Sequence, residues 1–594
     1  MADSVAELPA HLGGARAEVE VKRRGWIRRL LAFVGPAYLV SVGYMDPGNW
    51  ATDIEGGARF GYTLIWVILM SNFMAILLQT LAARFGIATG LDLAQGCRRE
   101  YPRPVTLVLW GLAEIAIAAT DLAEALGTII GLNLLFGIPL LWGCAVTALD
   151  TFLLLALQRF GMRKIEAVIL LMVATIGGCF IIEVFLAKPD WGGIATGFIP
   201  RFNPSALYIV TGIIGATVMP HNLYLHSSLV QSRAVSNTVT GKREACRFNF
   251  IDSVVALNAA FFVNCAILIM AAANFHSRGI EVTELKQAHA LLEGLLGHTL
   301  APLVFAVALI AAGQSSTITG TISGQIVMEG FLNLRLRPWL RRLITRAIAL
   351  LPAVVVIAMA GDRGAYSLLI LSQVILSLQL PFATIPLIHF TSDKNKMGAF
   401  ANKRWVVLVA WAVACIIVVL NGKLVYDGLS GALGGGLAWL WPIAVAFVMG
   451  CLALLAYIVL KPWIHPGRVW ESARPSLVSH VAGRIQPMPL KEIGVALEHS
   501  EGDAEVISAA MTLARANKAC LTLIHIVETP GTLVYGEESA SRHGAEDKEY
   551  LEQLAREIEA RDLPVEILLR RGKPVDELVR ITEEFLFDLV VFGA

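Results

Sequence analysis

Charge is what this chain has least of. Only 16% of its 594 residues are Asp, Glu, Lys or Arg, against about 25% in soluble domains, while 56% are hydrophobic. A single soluble enzyme is excluded. Net charge is nearly absent too, at +1, which excludes a nucleic-acid binder working through bulk positive charge. The eight cysteines form no CxxC pair and no metal-finger spacing, so a disulfide scaffold is excluded. The basic stretch VKRRGWIRR is followed by no small-residue cleavage site of a usual kind. The first apolar segment therefore reads as a full span rather than a removed leader.

What is there splits in two. Residues 491–594 hold 11 Lys/Arg against 21 Asp/Glu, and residues 1–490 hold 37 against 26. The first part is apolar and basic, the tail polar and acidic. With roughly 20 apolar residues needed per crossing, twelve stretches qualify: 31–58, 62–83, 105–132, 138–157, 164–186, 206–230, 250–274, 299–327, 344–360, 366–390, 404–420 and 437–460. Arg and Lys cluster in alternate loops, around 22–29, 84–103, 159–164, 233–247, 335–346, 394–404 and after 460. Positive charge stays inside, so both termini are expected in the cytoplasm.

Two spans carry an internal breaker. The first reads SVGYMDPGNWATDI and the sixth GIIGATVMPHNLYLHSS. Proline removes a backbone donor and clashes with the preceding turn, and unwound backbone at that depth survives only inside protein or along a cavity. Asp46-Pro47-Gly48-Asn49 aligns with Met219-Pro220-His221-Asn222, with proline second and asparagine fourth in each. Five spans separate the breaks. That odd number inverts one unit against the other and places a shared site where the breaks meet near the midplane.

The breaks offer the Asp46 carboxylate, the Asn49 oxygen, the Met219 sulfur and carbonyls freed by unwinding, such as that of Ala216. Oxygen ligands alone would suit Mg²⁺ or Ca²⁺; a soft sulfur beside them favours a transition metal. The third span, LAEIAIAATDLAEALG, adds Glu114, Asp121 and Glu124. At about 100° per residue these share one face within about 80°. His221 lies just past the second break, and Arg341 and Arg342 open the ninth span. Buried acids with basic partners form a row along which a proton can move. Asp53 and Glu55 read as a vestibule or a cation lure, His389 as an interface residue, and His226 as a residue near the cytoplasmic end with no ligand role.

These residues resemble the Nramp family of divalent-metal transporters, here a bacterial manganese/iron member. A third stretch, AAGQSSTITGTISGQIVMEGF at 311–331, is similar to the family's transport signature, and the resemblance covers roughly residues 25–460. It implies an all-α membrane protein of LeuT-type fold, with two inverted five-helix repeats and two further helices. It implies Asp46, Asn49, Met219 and the Ala216 carbonyl as metal ligands, joined by Gln373 of LSQVILSLQ when the site is occluded. The acids, His221 and the paired arginines resemble its proton path. Met219 argues against the magnesium-moving branch, which lacks it.

From about 491, runs such as EIGVALE, CLTLIHIVE, PVEILLRRG and DLVVFGA alternate with helical segments, the pattern of a doubly wound α/β sheet. This tail resembles the universal-stress-protein family. The phosphate loop of that family's nucleotide-binding members would begin at Gly593-Ala594, so the domain reads as truncated and a nucleotide partner is left open. The expected organisation is 1–30 cytoplasmic segment, 31–460 transporter (repeats 31–186 and 206–390, extra helices 404–460), 461–490 linker and 491–594 tail.

The expected function is proton-coupled import of Mn²⁺ or Fe²⁺, with Co²⁺, Cd²⁺ and Zn²⁺ as neighbours, by alternating access in a bacterial inner membrane. No resident cofactor, enzyme activity or nucleic acid is expected; the partners are lipid, metal and protons. A cation-coupled amino-acid transporter of the same fold is the first competitor. It would grip a substrate carboxylate with free backbone N–H groups, which an aspartate facing the cavity would repel. A membrane-tethered nucleotide sensor is the second, but tethering explains neither matched breaks nor an acid row.

Overall fold

The computed structural model describes residues 35–148, 162–233, 238–280, 282, 285–287, 289, 300–334, 338–433, 441–464, 490–500, 502–527, 540–572 and 574–593. The chain divides into two units, Met1–Ala473 and Arg474–Ala594, each with its own hydrophobic core.

The described residues of the first unit form helices and the segments that join them. Among the described residues, nine helices are long and apolar enough to cross a membrane. Two of them, Pro47–Thr89 and Leu343–Ser392, each hold two of the expected stretches. The fourth expected stretch, 138–157, runs outside the described residues from 149 onward. Large apolar side chains stand outward on many of the helices, among them Phe185, Leu351, Met359 and Leu408. A water-soluble surface does not carry such a belt; hydrocarbon does.

Burial ranks the spans. The hydrophobic part of Pro204–Ser232 is 94% buried, that of Pro442–Pro462 only 6%. The sixth span is therefore the centre of the bundle and the last its rim. The broken first span consists of α1 (Pro36–Gly43) and α2 (Pro47–Phe60). It is followed by α3 (Ile65–Thr89), α4 (Leu93–Glu100), α5 (Arg103–Phe136) and α6 (Met162–Ala187). The broken sixth span consists of α7 (Leu207–Val218) and α8 (Pro220–Leu229). Then come α9 (Val239–Asn274), α10 (Leu300–Leu332) and α11 (Pro338–Ser392). A kink at Gly361, with φ +59°, separates the ninth and tenth spans within α11; glycine adopts that conformation without a Cβ penalty. Last come α12 (Arg404–Leu433) and α13 (Trp441–Ile464).

The prolines explain the breaks. Pro47 and Pro220 both start the second half of a span, where a missing N–H costs nothing and φ is already helical. Trp50 then locks α2 into the bundle, edge-on to Phe180 of α6 at 4.6 Å and to Phe305 of α10 at 5.4 Å.

The second unit is a parallel four-stranded sheet in the order β3-β2-β1-β4, from β1 (Glu492–Leu497), β2 (Cys520–Val527), β3 (Val565–Arg571) and β4 (Leu589–Phe592). Helices α14 (Asp503–Asn517), α15 (Ala540–Glu559) and α16 (Pro574–Phe585) connect them. The strand–helix alternation expected from sequence is met, with Glu492 opposite Cys520 and Ile493 opposite Leu589 in register.

One carboxylate ties the end of β1 to α14. Asp503 accepts from the backbone N–H of Glu498, His499 and Ser500 at 3.0, 2.9 and 3.2 Å, and from the Tyr550 hydroxyl at 2.9 Å. Burial and the Asp503 carboxylate push the Tyr550 phenol up to about 12. Removing the acceptor strands those donors, at about 1–3 kcal/mol. Asp503→Ala is therefore expected to lower hydrogen-exchange protection across 492–503 of the full-length protein. Unchanged protection there would show that the carboxylate contributes little.

Candidate metal and proton site

Each break exposes a carbonyl for the same reason. The carbonyl of Ala216 would bond the N–H of residue 220, and that of Gly43 the N–H of residue 47; both acceptors face prolines. Proline has no N–H. The C-terminal ends of α1 and α7 thus carry carbonyls with no helical donor, at the helix pole that favours cations.

Side chains add to them. Asp46 caps α2, its Oδ1 accepting the Asn49 N–H at 2.8 Å. Its Oδ2, Asn49 Oδ1 and Gln373 Oε1 are all buried with no hydrogen-bond partner among the described residues. Gln373 of α11 lies against Gly48: a Cβ placed on Gly48 would sit 1.7 Å from its Nε2. The second break comes equally close to the first. A Cβ on Gly43 would meet Asn222 Nδ2 at 2.5 Å and Met219 Sδ at 3.2 Å. Met219 itself is fully buried and holds φ +35°, a costly conformation for a side chain that is not glycine. Strained and buried, its sulfur sits 3.5 Å from Asn222 Nδ2.

Two carboxamide oxygens, one carboxylate oxygen, a sulfur and two freed carbonyls thus belong to the breaks and to Gln373 beside them. Among the described residues, no group of three His, Cys, Asp or Glu is placed to hold a metal ion. At the breaks, amide, carbonyl and thioether donors stand beside the single carboxylate of Asp46.

A further residue at the breaks is Asn222, marked in the sequence by its place in the aligned M-P-H-N. Its Oδ1 is buried and without a partner among the described residues, and its amide reaches Val40 O at 3.4 Å.

His221 links the break to the acid row. Its Nδ1 lies 3.3 Å from Thr120 Oγ1 on α5, one turn before Glu124. Thr120 has no charge or motif to mark it in sequence. The three acids then diverge. Glu124 faces α10, where a Cβ on Gly320 would meet its Oε1 at 2.7 Å. Glu114 and Asp121 turn toward α11. Arg341 reaches both Glu114 oxygens at 3.3 Å, and Trp110 Nε1 donates to Glu114 at 3.1 Å. Asp121 accepts from Arg346 at 2.8 Å.

Arg346 is the basic partner that sequence reasoning counted only as loop charge. The side chain of Arg342, expected beside Arg341, lies outside the described residues. A water-sized cavity lined by Asp121, Gly320, Thr321, Gln325 and Arg341 lies along this row.

The structure also places the minor candidates and changes one expectation. Asp53 is 2% exposed, which makes it an interior residue rather than part of a solvated vestibule, while Glu55 accepts from Arg59 and from the Tyr366 hydroxyl. His226 is fully buried. It sits in a polar chain in which Gln79 donates to Tyr44 at 2.9 Å, and the histidine nitrogens lie 3.0 Å from Gln79 Oε1 and from Asn249 Nδ2. His389 packs against Trp411, ring centres 5.4 Å apart.

Known proteins share this architecture. The Natural resistance-associated macrophage protein-like family matches residues 37–427, and the Universal stress protein family matches 489–594. A divalent metal cation transporter MntH of Xanthomonas campestris pv. campestris is 56% identical over 433 residues, covering 72% of this chain and 98% of that protein. One from Mesorhizobium japonicum is 58% identical over 412 residues, covering 68% and 91%. Crystal structures of a manganese transporter of Eremococcus coleocola include one with a TM-score of 0.70 at 38% identity, covering 75% of this chain and 98% of that one. On these matches the chain is a multi-pass membrane protein that belongs to the Natural resistance-associated macrophage protein-like family and carries a universal-stress-protein domain behind it.

Proposed function

We propose that the chain imports divalent transition-metal ions, Mn²⁺ and Fe²⁺ foremost, by alternating access around the two breaks. The observation that carries this reading is the set of orphaned oxygens on Asp46, Asn49 and Gln373 at the break that Met219 and Asn222 approach. Buried polar atoms are normally partnered, and a cation is the partner this set lacks. The curated relatives named above are divalent metal cation transporters, which supports the same cargo. An amino-acid substrate fits worse, since its carboxylate would meet Asp46.

Coupling to protons follows from charge. A divalent ion beside Asp46 favours its ionised form. The proton shed there has His221, Thr120 and the acids of α5 within reach, with Arg341 and Arg346 balancing the charge. In this reading Asp46, Asn49, Met219, Gln373 and the Ala216 carbonyl hold the metal. Both termini face the cytoplasm of a bacterial inner membrane.

Mn²⁺ uptake into proteoliposomes with a pH dye inside tests the whole reading: Mn²⁺ entry should acidify the lumen. If no divalent metal moves at any pH, the reading fails. Asp121→Asn is expected to abolish proton flux or uncouple it from uptake while Mn²⁺ binding survives. Normal flux and normal uptake in that variant would put the proton elsewhere.

A further inference from the structure

One buried carboxyl belongs to none of these groups. Glu183 of α6 is 0% exposed, and neither of its oxygens has a hydrogen-bond partner among the described residues. It lies one turn before the end of α6 at Ala187, the outer end under the orientation proposed above. Phe180, three residues earlier, meets Trp50 of α2. Residues three apart share a helix face, so Glu183 is on the side of α6 turned toward the broken first span. The same helix packs on α1, the other half of that break, and on α9 and α10.

Among the described residues, no charged side chain pairs with either of its oxygens. On its own helix the nearby titratable group is Cys179. On α9, Cys265 lies within electrostatic reach of Asp53. On α2 the charged groups are Asp53, Glu55 and Arg59, with Asp46 at its N-cap; Asp46 acts on Asp53, and Glu55 pairs with Arg59. On α10, Phe305 packs on Trp50, and α1 carries no carboxylate or amine.

An ionised carboxylate cannot rest in such a place, because a buried charge needs a partner or must be neutralised. A metal ion would need several ligands, and neither Glu183 oxygen has a hydrogen-bond partner among the described residues. A proton needs no ligand beyond the carboxylate itself. We propose that Glu183 is a second proton-binding site of this transporter, set in the outer half of the bundle. It is loaded as –COO⁻ + H⁺ → –COOH when the packing around the first break opens, and shielded when it closes. Because α6 touches both halves of that break, a swing of the break uncovers or seals the acid. A buried acid with only a structural task would be expected to show partners, and this one shows none among the described residues.

This inference rests on the proton-coupled reading. It is tested on the full-length protein in proteoliposomes, wild type beside E183Q and E183D. Infrared difference spectra on a pH step should show a protonated-carboxyl band in wild type that is missing in E183Q. E183Q should also take up Mn²⁺ with fewer protons per metal ion and lose the corresponding part of the external-pH dependence, while E183D keeps both. Should E183Q fail to fold, the band should still shift in E183D. The proposal is overturned by an unchanged band in either variant, by an unaltered proton-to-metal ratio in E183Q, or by Na⁺ displacing the band at fixed pH. If wild type itself moves Mn²⁺ without protons, the coupled reading is what fails.

Discussion

Asp46→Asn is expected to cut Mn²⁺ uptake by about 100-fold or more while leaving the protein folded. Even at an effective dielectric near 20, a carboxylate and a cation in contact attract by several kcal/mol, and every 1.4 kcal/mol is about tenfold in affinity. The local fold has less at stake. Asp46 caps α2 through one oxygen that accepts from the Asn49 N–H, and an asparagine oxygen caps about as well. Its second oxygen has no partner among the described residues, and the substitution removes the negative charge that the two oxygens share. Uptake of Mn²⁺ by D46N proteoliposomes, set beside the protein's thermal stability and its elution as a single species, separates the two effects. Near-normal uptake would mean that the metal is held elsewhere; lost uptake with lost stability would mean that the cap matters more than the charge.

The features legible in the sequence were those that violate their surroundings. Proline and aspartate inside an apolar run announce Asp46-Pro47 and Met219-Pro220 before any fold is known, and three acids in one span announce α5. Partnerships were harder. Arg346 pairs with Asp121, but in sequence it is the last of several arginines at a membrane edge, where positive charge is expected anyway. Thr120 joins His221 to the acid row through a hydroxyl, a group common on any helix. Equal angles on α5 suggested one acid face. The neighbours α10 and α11 divide it, because Gly320 leaves room for Glu124 on one side and the arginines draw Glu114 and Asp121 to the other. Glu183 broke the apolar pattern as plainly as Asp121 did. What could not be read was its isolation, which depends on the packing of four other helices. The tail was easier, since its strands are short apolar runs between helices; its register, as in Ile493 opposite Leu589, comes from contacts far apart in the chain.

Met219 sets the second large expectation, which concerns choice of metal rather than rate. Met219→Ala should still move Mn²⁺, but Ca²⁺ or Mg²⁺ should now compete, with the discrimination falling by about tenfold or more, since a soft sulfur is what a hard ion does not reward. The side chain is fully buried, so alanine also leaves a hole, and such truncations cost about 2–5 kcal/mol. Met219→Leu removes the sulfur at nearly constant volume, a swap that usually costs less than about 1.5 kcal/mol. The pair therefore tells chemistry from space. If both variants admit Ca²⁺, the thioether is the filter. If only alanine does, the filter is the shape of the break, and the sulfur beside Asn222 is packing. If neither does, selectivity resides in the oxygen ligands, and the choice of a transition metal over Mg²⁺ must come from how readily each ion gives up its water.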